Sequence, residues 1–178
     1  MSTPRTMPLL ILLAILAFPV RAQVVPDGIT VEPVATGLSV PTGFDFLPDG
    51  RVIYVEQFTA RVRVLTVGTG VQVTPLISVT GVNAGGERGL LGIAFDPSFA
   101  SNHFVYVYYT TNAATPVNRV SKFTANPANP NVALAGETVL LDNIASTMGN
   151  HNGGARFILI LVPPSVLSGG TQKWAKTP

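Results

Sequence analysis

The sequence predicts an all-β fold made from one four-stranded antiparallel unit used repeatedly. Two observations lead there. After Gln23 no long stretch keeps a helical period, and short β-branched and aromatic runs alternate with Gly, Pro, Asn and Asp. That is the pattern of many short strands joined by turns. The runs also recur in order, as a set. Four antiparallel strands returning every about 40–50 residues is the arithmetic of a β-propeller blade.

The chain opens on an export signal. Arg5 precedes an unbroken apolar run, Leu9–Phe18, which Pro19 closes, and Val20-Arg21-Ala22 then places a small residue at the cleavage position. The run has ten residues, whereas a membrane-spanning helix takes roughly 20. Residues 1–22 are therefore expected to be a signal peptide, with no membrane span after its cleavage and a periplasmic or secreted product. The absence of Cys fits a bacterial periplasm better than an oxidising secretory route. It also excludes a disulfide framework and thiolate metal sites.

Composition narrows the rest. Of 178 residues 47% are hydrophobic and 11% charged, too apolar for a disordered chain. The net charge of +2 includes Arg5 and Arg21 of the signal, so the remaining basic and acidic side chains balance. No phosphate-binding surface is implied, and nucleic acid is set aside as a partner. Asp and Glu are scattered singly, so no metal site is expected. No HExxH, GxSxG, phosphate-cradling or EF-hand pattern is present.

The strands follow in order. Gly43, Phe44, Phe46 and Pro48 match Gly92, Ile93, Phe95 and Pro97 at an offset of 49 residues. Val52, Tyr54 and Val55 match Phe104, Tyr106 and Val107 at an offset of 52. Arg61 and Val62 match Arg119 and Val120 at an offset of 58. In Arg61–Leu65 the alternation of Arg61 and Arg63 with Val62 and Val64 is the period of two of a half-buried strand. A fourth strand is expected around Val73–Val79 in the first unit and Thr138–Asp142 in the second. Leu47-Pro48-Asp49-Gly50 reads as a tight turn between the first two strands, with Pro presetting φ and Gly accepting a positive one.

A third unit starts and breaks. Gly154-Ala155-Arg156-Phe157 repeats the Gly-to-Phe spacing, but position 159, where Pro is expected, is Leu159. The chain continues as Ile158–Val162 and then a Ser/Gly/Lys tail. Residues 158–178 therefore read as an aberrant tail, from either a shifted reading frame or a divergent natural terminus. Residues 23–157 are expected to be the N-terminal blades of a propeller.

Three stretches carry a family resemblance. They are Gly37-Leu38 with Pro41 and Leu47–Gly50; Gly86-Glu87-Arg88-Gly89-Leu90-Leu91-Gly92-Ile93-Ala94-Phe95-Asp96-Pro97 followed by Val105–Thr110; and Asn150-His151-Asn152-Gly153-Gly154. Together they resemble the PQQ-dependent glucose/sorbosone dehydrogenases, the soluble aldose sugar dehydrogenase type, over about Val34 to Phe157. The resemblance implies a secreted six-bladed propeller that oxidises an aldose hydroxyl, with hydride passing to PQQ and then to an external electron acceptor.

It further implies that His151 is the general base, a role that suits an imidazole because it titrates near neutrality. Glu87 matches a Gln-or-Glu position that faces the substrate and cofactor pocket. Asn150 falls where better-studied members carry Asp, and an amide cannot act as a carboxylate partner. Arg88 is left unassigned, and His103 has no functional case. The family holds PQQ with basic side chains and a Ca²⁺ from later blades, positions this chain does not contain. The chain is therefore expected to be an incomplete propeller, inactive by itself. The alternative is a non-catalytic secreted propeller that binds a protein or a glycan.

Overall fold

A computed structural model describes residues 26–153. The expected signal peptide, the Gly154–Phe157 start of a third unit and the tail lie outside the described residues. The chain divides into two compact units, Met1–Pro33 and Val34–Pro178. In the first, the described residues form a turn at Asp27-Gly28, where the Ile29 amide donates to the Pro26 carbonyl at 3.1 Å.

The second unit carries two antiparallel five-stranded sheets. The first contains β1 (Pro41–Phe46), β2 (Val52–Glu56), β3 (Arg61–Thr66), β4 (Gly70–Val71) and β5 (Ile77–Ser78). The second contains β6 (Leu90–Phe95), β7 (Phe104–Thr110), β8 (Val117–Asn126), β9 (Asn129–Ala133) and β10 (Thr138–Ala145). A short helix, α1 (Phe99–Asn102), interrupts the connection from β6 to β7. Each sheet repeats one plan. Three strands pair in chain order, the third strand forms a short hairpin with β4 or β9 on its free edge, and β5 or β10 then pairs further along that same edge. These are blades of an all-β propeller.

The predicted repeat holds with one shift of register. Phe46 pairs with Val52 and Phe95 with Val105, so the second strands match at an offset of 53 residues, not 52. Tyr106 is thus equivalent to Ile53, and Tyr54 to Val107. The first strands keep their offset of 49; the 4 extra residues correspond to the 4-residue α1. The run from Val105 to Tyr109 is hydrophobic throughout and allows either alignment, and hydrogen-bond pairing selects one. The third strands keep the offset of 58, with Val62 opposite Val55 and Val120 opposite Tyr108. The fourth strands differ from expectation in length. β5 holds only Ile77–Ser78, and Val73 is 90% exposed, whereas β10 runs on to Ala145.

The turn at Leu47–Gly50 forms as read, with the Gly50 amide donating to Leu47 at 2.9 Å and Gly50 at φ +84°. In β3, Val62 and Val64 are buried and Arg61 is exposed, which is the predicted alternation. Ile53, Val55, Val62, Val64 and Ile77 of the first sheet share one apolar core with Ile93, Val105, Val107 and Phe123 of the second. Burying each such side chain is worth about 1.5–3 kcal/mol. The sheets approach closely at Gly43, where a Cβ would lie 3.3 Å from the Leu91 carbonyl oxygen. Position in the repeat also decides exposure. Ile93 is 5% exposed against the first sheet, whereas its equivalent Phe44 is 63% exposed.

Candidate functional site

Two loops meet at the end of the sheets from which β6 starts. The first is Asn83–Gly89. The Asn83 side-chain oxygen accepts the Gly85 amide at 3.0 Å, and the Arg88 amide donates to the Gly85 carbonyl at 3.2 Å, which folds the GERG stretch into a compact turn. Both of its later glycines are sterically required. A Cβ on Gly86 would lie 2.6 Å from the Gly149 carbonyl oxygen, and one on Gly89 would lie 2.5 Å from that of Gln57. The close approach at Gly89 joins the blades: the Leu90 amide donates to the Gln57 carbonyl at 3.0 Å, and the Gln57 amide side chain donates to the Arg88 carbonyl, also at 3.0 Å.

The second loop, Ser146–Gly153, follows β10. Asn152 is its anchor, 3% exposed. Its side-chain oxygen accepts from the Ser146 hydroxyl and, at 3.5 Å, from Asn118, whose own oxygen accepts from Thr110 at 2.6 Å. The Asn152 carbonyl accepts the Tyr108 hydroxyl at 2.7 Å. Burial raises the Tyr108 pKa above its ordinary value, which keeps that hydroxyl a donor. A buried polar chain satisfied in this way fixes the loop, because any broken link strands a desolvated group.

Three contacts tie the two loops together. Arg88 donates from Nε to the Ser146 hydroxyl at 3.0 Å and from Nη2 to the Ser146 carbonyl at 2.7 Å. The Glu87 amide donates to the Gly149 carbonyl at 2.8 Å. The His151 amide donates to Oε2 of Glu87 at 2.7 Å. Glu87 and His151, separated by 64 residues in sequence, are thus in direct contact. Asn150 lies between the two bonded positions. All three residues are exposed, and His151 takes the left-handed conformation at φ +58°.

The meeting of Glu87 with His151 runs through the histidine's main chain, not its ring. Arg88, unassigned from sequence, secures the loops. Asn152, Ser146 and Asn118 were missed. Asn152 lies inside the HNGG motif and could have been singled out, whereas nothing marks Asn118 among the polar residues of β8. His103 closes α1 in a left-handed conformation against Phe99, at the opposite end of β6.

Chemically, these loops present an exposed imidazole on a fixed backbone beside a carboxylate. PQQ carries three carboxylates and needs several compensating cations. The loops supply one cation, Arg88, and it is turned onto Ser146. The described residues alone do not fit that cofactor. Among them no three His, Asp or Glu side chains gather as a metal site, and no helix is long and apolar enough to cross a membrane.

Two repeated antiparallel sheets, latched by loops at one end, are the blades of a β-propeller. The chain belongs to the Glucose / Sorbosone dehydrogenase family, whose model matches residues 38–163. Among solved structures, the PQQ-bound form of aldose sugar dehydrogenase from Streptomyces coelicolor is similar, with a TM-score of 0.57 and 34% identity. That match covers 65% of this chain and 34% of that one. A glucose dehydrogenase matches with a TM-score of 0.62 and 26% identity, over 71% of this chain and 37% of that one. Hedgehog-interacting protein of Homo sapiens is 31% identical over 138 residues, which are 70% of this chain and 20% of that protein. The chain thus spans about a third of the length of the two dehydrogenases and a fifth of the Hedgehog-interacting protein.

Proposed function

We propose that this chain belongs to a secreted or periplasmic PQQ-dependent aldose dehydrogenase, with His151 as the base that accepts the sugar hydroxyl proton. The single observation that carries the reading is the contact between Glu87 and His151. Two family motifs far apart in sequence are brought to one end of adjacent blades by a 2.7 Å hydrogen bond. Glu87 and Asn150 flank the base on the sugar and cofactor side. The cations and the Ca²⁺ that hold PQQ come from the length of the family propeller this chain does not span. The electrons leave to an external acceptor.

The test is sugar-dependent dye reduction with PQQ and Ca²⁺, run on the 178-residue chain and on a longer product that spans the full family propeller. The chain alone is expected to be silent and the longer product to turn over. His151→Gln in the longer product should lower turnover by about 10²–10⁴. Absence of turnover with every aldose tried would end the reading.

A second reading has its own support, the match to Hedgehog-interacting protein. In it the propeller binds a protein or a glycan without catalysis. It expects saturable binding, with no dye reduction in either product.

A further inference from the structure

We infer that Glu87 is a positioning residue for His151, with a side-chain oxygen that grips the histidine's main chain and so sets the direction of its ring. The inference rests on the reading of His151 as the base, and it gives Glu87 a task beside the pocket-facing role that family resemblance implies, through one of its two carboxylate oxygens.

Residue 87 makes two bonds to the same short run of chain. Its amide donates to the Gly149 carbonyl at 2.8 Å, and its Oε2 accepts the His151 amide at 2.7 Å. Asn150 is bracketed between them. The approach is close enough that a Cβ on Gly86 would stand 2.6 Å from the Gly149 oxygen.

His151 itself sits at φ +58°, a region that residues with a Cβ rarely adopt. Such a conformation persists only where its surroundings over-determine it. Here the surroundings are two: Glu87 holds the amide of His151, and the buried Asn152 anchors the next residue through its side chain and its carbonyl. The ring leaves the backbone between these two fixed points. What position 87 must supply is an acceptor, not a charge. A Gln carbonyl oxygen offers the same acceptor at the same reach.

Amide hydrogen exchange of the 178-residue chain, without cofactor or sugar, tests this. Three proteins are compared: wild type, Glu87→Ala and Glu87→Gln. The His151 amide should exchange at least about tenfold faster in Glu87→Ala and stay within about threefold of wild type in Glu87→Gln. The amides of Leu90 and Thr110, which are bonded to Gln57 and Gly89, report the fold and should be unchanged in all three. The ring signal of His151 is separable because His103 is the only other histidine. It should move in Glu87→Ala and not in Glu87→Gln.

An unchanged His151 amide in Glu87→Ala overturns the inference. Equal acceleration in both variants overturns it as well, since the charge would then be what matters. If Glu87→Ala unfolds, Glu87→Gln decides: protection must survive in it. Neither readout needs turnover. Failure of the dehydrogenase reading would therefore show as silent dye reduction with the exchange pattern intact.

Discussion

Ile93→Ala should cost far more stability than Phe44→Ala, although phenylalanine is the larger side chain. The two positions are equivalent in the repeat, but Ile93 is 5% exposed and Phe44 is 63% exposed. Truncating Ile93 removes three buried carbons at about 0.8 kcal/mol each, so about 2.4 kcal/mol of transfer free energy. Its surroundings are the buried Val107 opposite and the rest of the shared core, which can only partly collapse. The resulting cavity brings the total to about 2–5 kcal/mol. Phe44 gives up little, because most of its surface is already in water. Its one described ring contact is the edge-on pair with Phe46, at 5.8 Å between centroids. Its truncation is expected to cost under about 1 kcal/mol. Urea unfolding followed by far-UV circular dichroism gives both values, read as midpoint shifts at constant slope. Equal costs, or a larger one for Phe44, would refute the burial of Ile93 between the sheets and the exposure of Phe44.

Gly89→Ala should destabilise by at least about 2 kcal/mol in thermal melts, because the new methyl meets the Gln57 carbonyl oxygen at 2.5 Å. Gly50→Ala, whose Cβ would meet nothing within 4 Å, should show only the conformational penalty of about 1 kcal/mol. Asn118→Ala and Asn152→Ala should each cost about 1–3 kcal/mol, and the double variant less than their sum, with a coupling above about 0.5 kcal/mol. Strict additivity in that cycle would deny the buried network. All four tyrosines, Tyr54, Tyr106, Tyr108 and Tyr109, have raised pKa values, with burial as the largest cause in each. Their contribution to stability is therefore complete below the unfolded-state value near pH 10 and is lost as pH rises through the higher folded values. Tyrosinate absorbance should appear together with loss of structure above about pH 10. A tyrosine titrating normally in the intact fold would contradict this.

Much of the architecture was legible because a propeller blade repeats, and a repeat can be checked against itself. Gly43-Phe44 against Gly92-Ile93, and Arg61-Val62 against Arg119-Val120, fall in equivalent pairings. The register of β7 was not legible. Every residue from Val105 to Tyr109 is apolar or aromatic and buried, so a slide of one residue leaves a hydrophobic side chain at each place, and only main-chain pairing resolves it. The helix α1 is a single turn, too short to leave a periodic signal. At the site, the motif residues Glu87 and His151 were found, but their mode of contact was not, since spacing says nothing about whether a ring or an amide is presented. Asn118 was invisible for a different reason. A buried polar side chain announces itself only through partners, here Thr110 and Asn152, that the chain brings together from other elements.

The two ends of the sheets differ in their tolerance of change. Where β6 turns into β7, four residues were added relative to the first blade with no shift in the strand pairs that follow. A fluorophore carried on the exposed Ser101 of this connection, clear of the buried Phe99, would therefore leave the His151 end of the blades undisturbed.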